Sequence, residues 1–222
     1  MNQVIITKIE QYVRGEMDEL CAAHDFQHIQ RVVINAKKIH NQEKTGNILI
    51  IEAGALLHES LDEKFFDAGG IKEKKADLRI TLESFGITTQ EVQEIIFIAE
   101  NVGYGKSLER AHDFQGSIEF MIVEDADRLE AIGAIAIART FTYGGKKGRP
   151  IHDPKIIPKI IRSKDEYYQR SQDSTSFNHF AEKLLLLKDM MHTNAGKTIA
   201  ESRHDFMQLY VNEFLAEWDG IR

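Results

Sequence analysis

The sequence predicts an all-α protein, and three observations carry that expectation. Only three prolines interrupt 222 residues, apolar residues recur at helical spacing in one segment after another, and no clear run of alternating β-branched residues suggests a half-buried strand. At 42% hydrophobic and 28% charged, the chain can bury a sizeable core. That suits a single domain over 1–222, with a core at about 20–140 and a helical extension at about 141–222.

A first helix is expected over 2–20, where MNQVIITKIEQYVRGEMDEL mixes apolar and charged residues and lacks the basic start, apolar centre and cleavage site of a secretion signal. Cys21, the only cysteine, can form neither an intrachain disulfide nor a cysteine-based zinc site, and packing is its expected role. The second helix, 25–42, takes Asp25 as its N-cap. His24, His28 and Arg31 are spaced four and three apart and share one face, while Ile29, Val32, Val33 and Ala36 pack inward. The third, 47–60, is almost wholly apolar at Ala53, Ala55, Leu56 and Leu57 before His58 and Glu59 arrive together.

The fourth helix, 71–85, stops at Gly86. The fifth, 89–101, starts from Thr88 or Thr89 and buries Val92, Ile95, Ile96 and Ala99. A polar connection over 103–116 leads into a long helix over 116–140, in which Ile122, Val123, Ala126, Leu129, Ile132, Ala134 and Ile135 surround Asp127. A second polar connection, 143–154, precedes helices over 153–170, 176–192 and 195–218. Connections of this kind often complete active sites. The FMQLYVNEFLAEW stretch of the last helix reads as core or oligomer packing, compatible with a homodimer.

Charge limits the partners. A net charge of -7 and a pI near 5.7 argue against nucleic acid polymers and anionic membranes, yet are compatible with small nucleotides or other phosphorylated substrates. No apolar run approaches the roughly 20 residues that span a bilayer, so the expected location is cytoplasmic.

The chemistry-bearing residues are His28, His58 and Asp127, metal-type ligands that project in order from three helical segments, with Glu59 beside His58. A buried imidazole next to a buried carboxylate is costly unless a metal or counter-charge compensates. Taken singly, each has a plainer reading: a histidine on a half-buried helix is more often a hydrogen-bonded core residue, and Glu59, Asp62 and Glu63 would equally make a solvated helix end.

Together, HDFQHIQRV, ALLHESLDEK and DADRLEAIGAIAIARTFTYGG resemble the HD-domain superfamily of metal-dependent phosphohydrolases. That family's ligands are a His in an HxxR helix, an adjacent His-Asp pair and a distant Asp. The matching positions are His28 with Arg31, His58 followed by Glu59, and Asp127; Asp125 is a nearby alternative that the DRL phasing disfavours. His24-Asp25 and His112-Asp113 are decoy pairs. With HFAEKLLLLKDMM and FMQLYVNEFLAEWDG the likeness spans nearly the whole chain and is similar to a bacterial subgroup of stand-alone proteins, the YpgQ/YedJ-like hydrolases.

The resemblance implies a compact HD-domain helical bundle with additional C-terminal helices, and a divalent metal held by His28, His58, Glu59 and Asp127. Two imidazoles and two carboxylates suit Mn2+ first, with Fe2+, Co2+, Ni2+ or Mg2+ as substitutes. It also implies hydrolysis of nucleoside triphosphates to monophosphate and pyrophosphate. Asp62 and Glu63 occupy positions similar to an acidic pair that related guanosine tetraphosphate hydrolases use, a role in orienting water or carrying a proton. Arg31, Lys64, Arg128, Lys146, Lys147 and Arg149 are candidates to hold phosphates, Arg31 and Lys64 foremost.

GGKKGRP lacks the GK-Ser/Thr ending of a phosphate-binding Walker loop and reads as a solvated turn. His152, His179, His192 and His204 are expected to make ordinary surface or core hydrogen bonds. Glu59 departs from the family's Asp: one extra methylene moves the carboxylate by roughly 1.5 Å, against a metal-distance tolerance of about 0.2 Å, although glutamate remains a hard oxygen donor. Retained metal binding is the expectation. Two other functions stay open, a guanosine tetraphosphate or cyclic nucleotide phosphodiesterase or phosphatase, and a non-catalytic nucleotide or metal sensor, which the Glu59 exchange would favour.

Overall fold

The computed structural model describes residues 2–20, 26–62, 68–169 and 174–222. Among the described residues every regular element is helical, so the all-α class holds. Cys21, His24, Asp25, Glu63 and Lys64 lie outside the described residues. No described helix is long and apolar enough to cross a membrane. The chain divides into two compact units, one formed by Met1–Gly103 with Asp113–Asp127 and the other by Tyr104–His112 with Arg128–Arg222.

The first unit is built around α3 (Ile48–Leu57), in which Leu49, Ile50, Ile51 and every residue from Ala53 to Leu57 are buried. So apolar a helix needs partners all round. It packs against α1 (Asn2–Leu20), α2 (Phe26–Glu43) and α5 (Thr89–Asn101), and α4 (Ala68–Ser84) packs on α5. Ile5, Ile6, Ile9 and Val13 of α1 and Ile29, Val32, Ala36 and Ile39 of α2 recur at three- and four-residue spacing and are all buried. Gly54 sets the close approach of α3 to α5, since a Cβ there would stand 2.9 Å from the Ile98 side chain.

Capping explains where these helices begin. The Asn47 side chain accepts from the Leu49 N–H at 3.0 Å to start α3, and Thr88 with Glu91 forms a reciprocal capping box on α5. Asn47 also donates its backbone N–H to Glu119 at 2.7 Å and its side-chain amide to Glu91 at 3.1 Å. Three helix starts are thereby tied together. The Thr88 hydroxyl holds the Glu91 carboxyl below its usual range, with Asn47 adding to the effect.

The long helix expected over 116–140 is two helices, α7 (Ile118–Glu130) and α8 (Ala134–Lys146). Gly133 between them adopts φ 93°, a left-handed conformation that ends one helix and redirects the next. Ala134 and Ile135, expected in the core, are exposed for the same reason, because the stripe that buries Ile122, Val123, Ala126 and Leu129 is interrupted before reaching them. The short α6 (Tyr104–Ser107) lies within the first expected connection, and α8 shortens the second. The boundary between the two units falls inside α7, after Asp127.

In the second unit, the helix expected over 153–170 survives only as α9 (Lys164–Gln169). Pro154 and Pro158 each lack a backbone N–H and force the residue before them out of helical geometry. The helix expected over 176–192 is α10 (Asn178–Glu182) followed by a 3-10 helix over Leu184–Met190. The last, α11 (Asn194–Trp218), starts from Thr193, which accepts from the Gly196 N–H at 2.9 Å. An aromatic cluster joins these pieces: Phe177 stacks on Phe214 with ring centroids 4.3 Å apart, and Phe141, Phe180 and Tyr210 surround that pair. In FMQLYVNEFLAEW, Tyr210 and Phe214 are half-buried in this cluster, whereas Phe206 and Trp218 are exposed.

Candidate metal centre

All four residues expected as ligands lie in the first unit. His28 sits in the first turns of α2, 8% exposed, on the stripe that also carries buried Ile29 and Val32. His58 caps the C-terminus of α3, 4% exposed, at the end of the most apolar of the described helices. Glu59 follows it into a tight turn in which the Ser60 N–H bonds the Leu57 carbonyl at 2.9 Å and the Asp62 N–H bonds the Glu59 carbonyl at 3.1 Å. Asp127 ends the first unit's share of α7 and is half-buried.

The structure brings these side chains together. His28 Nε2 lies 3.6 Å from Asp127 Oδ1 and 4.0 Å from Glu59 Oε1, and His58 Nε2 lies 3.8 Å from Asp127 Oδ1. The imidazole rings are 5.4 Å apart and meet edge to face. His28, His58 and Glu59 each offer a ligand atom within 4.8 Å of the others. Two donors that are each about 2.1 Å from a common ion stand roughly 3 Å apart at a right angle and about 4.2 Å apart when opposed, a range that includes the 3.6, 3.8 and 4.0 Å separations; the group whose ligand atoms all lie mutually close is His28, His58 and Glu59, with Asp127 beside the two imidazoles.

His58 is the most buried member of the cluster. Its Nδ1 stands 2.8 Å from the Ala55 carbonyl oxygen, an atom that can only accept, so Nδ1 carries a proton and donates it. His58 Nε2 is buried and has no hydrogen-bond partner among the described residues. A buried polar atom left without a hydrogen bond costs about 1–3 kcal/mol, and a bound cation would give the neutral imidazole a partner there. Fixing the tautomer through the other ring nitrogen is the usual way a protein orients a ligating histidine.

Asp62 is half-buried one turn beyond His58. Arg31 is half-buried one turn after His28 on α2. Lys64 lies outside the described residues, and the remaining phosphate candidates belong to the second unit. Arg128 is buried and donates to the Met190 carbonyl, with His192 Nε2 2.9 Å from its guanidinium. Lys146 is exposed at the end of α8, and Lys147 and Arg149 place their charges 5.7 and 5.6 Å over the Tyr143 ring. His152 packs edge-on against Phe177 and Trp218, as a core histidine would. Asp125, the alternative ligand, is fully buried.

Sequence reasoning passed over two groups here: the Ala55 carbonyl, which no side-chain pattern reveals, and Asn35, a buried polar residue seven positions after His28. The second was detectable, since an amide within an apolar stripe needs a reason.

An all-helical framework with two imidazoles and a carboxylate close enough to share an ion is the arrangement of a helical hydrolase with a candidate metal centre. No protein-family model matches the chain. It is 30% identical to YpgQ of Bacillus subtilis over 214 residues, which cover 96% of this chain and 94% of YpgQ. Among solved structures, an HD-superfamily hydrolase from Bacillus thuringiensis is 38% identical, covered at 99% of both chains with a TM-score of 0.75. A Lactobacillus plantarum protein superposes at a TM-score of 0.79, with 32% identity over 97% of each chain. Bacillus subtilis YpgQ in complex with ADP matches 96% of both chains at 31% identity and a TM-score of 0.70. The chain belongs to the HD superfamily of metal-dependent phosphohydrolases, in the subgroup that contains YpgQ.

Proposed function

We propose that this protein is a manganese-dependent nucleotide pyrophosphohydrolase that converts nucleoside triphosphates to monophosphate and pyrophosphate in the cytoplasm, with His28, His58, Glu59 and Asp127 holding the ion. The observation that carries the reading is the buried Nε2 of His58, which has no hydrogen-bond partner among the described residues and stands 3.8 Å from Asp127 within a cluster of imidazoles and carboxylates. The ADP complex of YpgQ supports a nucleotide as the ligand class.

When bound, a divalent ion supplies positive charge that acidifies water and offsets the charge of a phosphoryl oxygen. The protein's own groups do the rest. Water attacks the α phosphorus, the bond from that phosphorus to the oxygen bridging it to the β phosphate breaks, and pyrophosphate leaves. The water proton passes to Asp62 or Glu63, whose carboxylates also orient the attack. Arg31 and Lys64 hold the polyphosphate, the guanidinium through paired hydrogen bonds.

The test is an incubation of purified protein with Mn2+ and a panel of triphosphates, guanosine tetraphosphate and cyclic nucleotides, with products resolved by chromatography. Monophosphate and pyrophosphate are expected. Terminal phosphate alone, or no turnover with any divalent ion, would move the assignment to a phosphatase or to a sensor.

Glu59 gives a second expectation. Glu59→Asp restores the family residue, and the shorter carboxylate suits the inherited helix end, so manganese affinity and turnover should stay level or rise. Loss of both by about tenfold or more, the scale on which altered ligand support weakens a metal site, would show a site re-adapted around glutamate, in keeping with Glu59 already standing 4.0 Å from His28.

A further inference from the structure

We propose that Asn35 is a positioning residue for the metal centre, pinning α2 against α7 so that His28 and Asp127 reach the same ion; this rests on the metal-site reading above. Seven residues of helix turn through about 700°, within about 20° of two full turns, so Asn35 returns to the stripe that carries His28. It is 6% exposed, and its side-chain amide donates to the Ala126 carbonyl at 3.4 Å. Ala126 is the residue before Asp127 and is wholly buried. A carbonyl oxygen has two lone pairs, so Ala126 can accept this bond as well as its helical one.

The neighbours explain why a pin is needed. Ile29, Val32, Ala36 and Ile39 on the same face of α2 are buried and apolar. Apolar contact is non-directional and tolerates small slides between helices, whereas a buried amide that donates to a carbonyl of the facing helix favours one register. His28 and Asp127 lie on different helices, 3.6 Å apart. A slide of a few tenths of an ångström already exceeds the distance tolerance of about 0.2 Å for a metal ligand. Asn35 touches neither ion nor substrate. It acts through the backbone that carries Asp127.

Cobalt binding separates positioning from plain stability. Wild type, Asn35→Ala, Asn35→Gln and Leu82→Ala are titrated with Co2+ by calorimetry, and the visible band of the bound ion is recorded as a report on its coordination. Leu82 is fully buried on α4 and contributes no group to the site, so its truncation lowers stability while the Asn35–Ala126 bond remains. Wild type and Leu82→Ala should take up one ion with the same spectrum. Asn35→Ala should bind about tenfold or more weakly, the loss typical of groups that orient metal ligands, with an altered band. Asn35→Gln keeps an amide donor and should recover part of the affinity. Should Asn35→Ala not fold, Asn35→Leu keeps the volume, removes the donor and carries the same expectation. Wild-type affinity and spectrum in the donor-less variants, or an equal loss in Leu82→Ala, would overturn the inference and leave the metal centre intact. A wild type that binds no ion would overturn the metal-site reading and this inference with it.

Discussion

Replacing His58 with alanine is expected to abolish metal binding and, with it, hydrolysis. His58 is the most buried of the four candidate ligands, its tautomer is set by the Ala55 carbonyl, and its Nε2 has no hydrogen-bond partner among the described residues. Alanine removes that nitrogen and leaves a space at the end of α3 that the rigid apolar packing of Leu56 and Leu57 cannot close. His28 and Asp127 would remain, but a set missing one imidazole loses both a donor and the geometry that kept the others in reach. Metal content measured by elemental analysis after dialysis against Mn2+ should fall from one ion per chain to background, while helical circular dichroism is retained. Equal occupancy in wild type and His58→Ala would remove the site from this position.

Neutralising the acidic pair should damage chemistry and spare the ion. In the Asp62→Asn, Glu63→Gln double variant both side chains keep their shape and can still hydrogen-bond water, but neither takes up its proton at neutral pH. General-base catalysis contributes typically 10²–10⁴-fold, so kcat should fall by about 10² or more with manganese content nearly unchanged. Arg31→Ala and Lys64→Ala should behave differently. Groups that hold the polyphosphate equally in ground and transition states affect KM more than kcat. A double variant that turns over at the wild-type rate would exclude the pair from proton transfer, and one that loses its metal would place it among the ligands. Steady-state kinetics with metal analysis on the same preparations distinguishes these outcomes.

Legibility in the sequence followed the range of the interaction. The starts of α5 and α11 and the stripe of Val92, Ile95, Ile96 and Ala99 were readable because capping and helical periodicity act over a few residues. The break at Gly133 was missed because Ile132, Ala134 and Ile135 continue an apolar pattern straight across it, and only the positive φ shows that the helix stops. The loss of helix over 153–163 had a local signal in Pro154 and Pro158, and Ile157 and Ile160 there are exposed.

By itself the sequence determined the all-α class and put forward the candidates for a cation site, because helical periodicity and the order His28, His58, Asp127 are properties of the chain alone. Tertiary structure decided which of them meet. It set His28 within 3.6 Å of Asp127 and Glu59 within 4.0 Å of His28, and it turned Arg128, adjacent to Asp127 in sequence, toward Met190 and His192. The physical reason is that neighbours on a helix differ by about 100° in direction, so which side of α7 each residue faces is resolved only when the other helices pack around it.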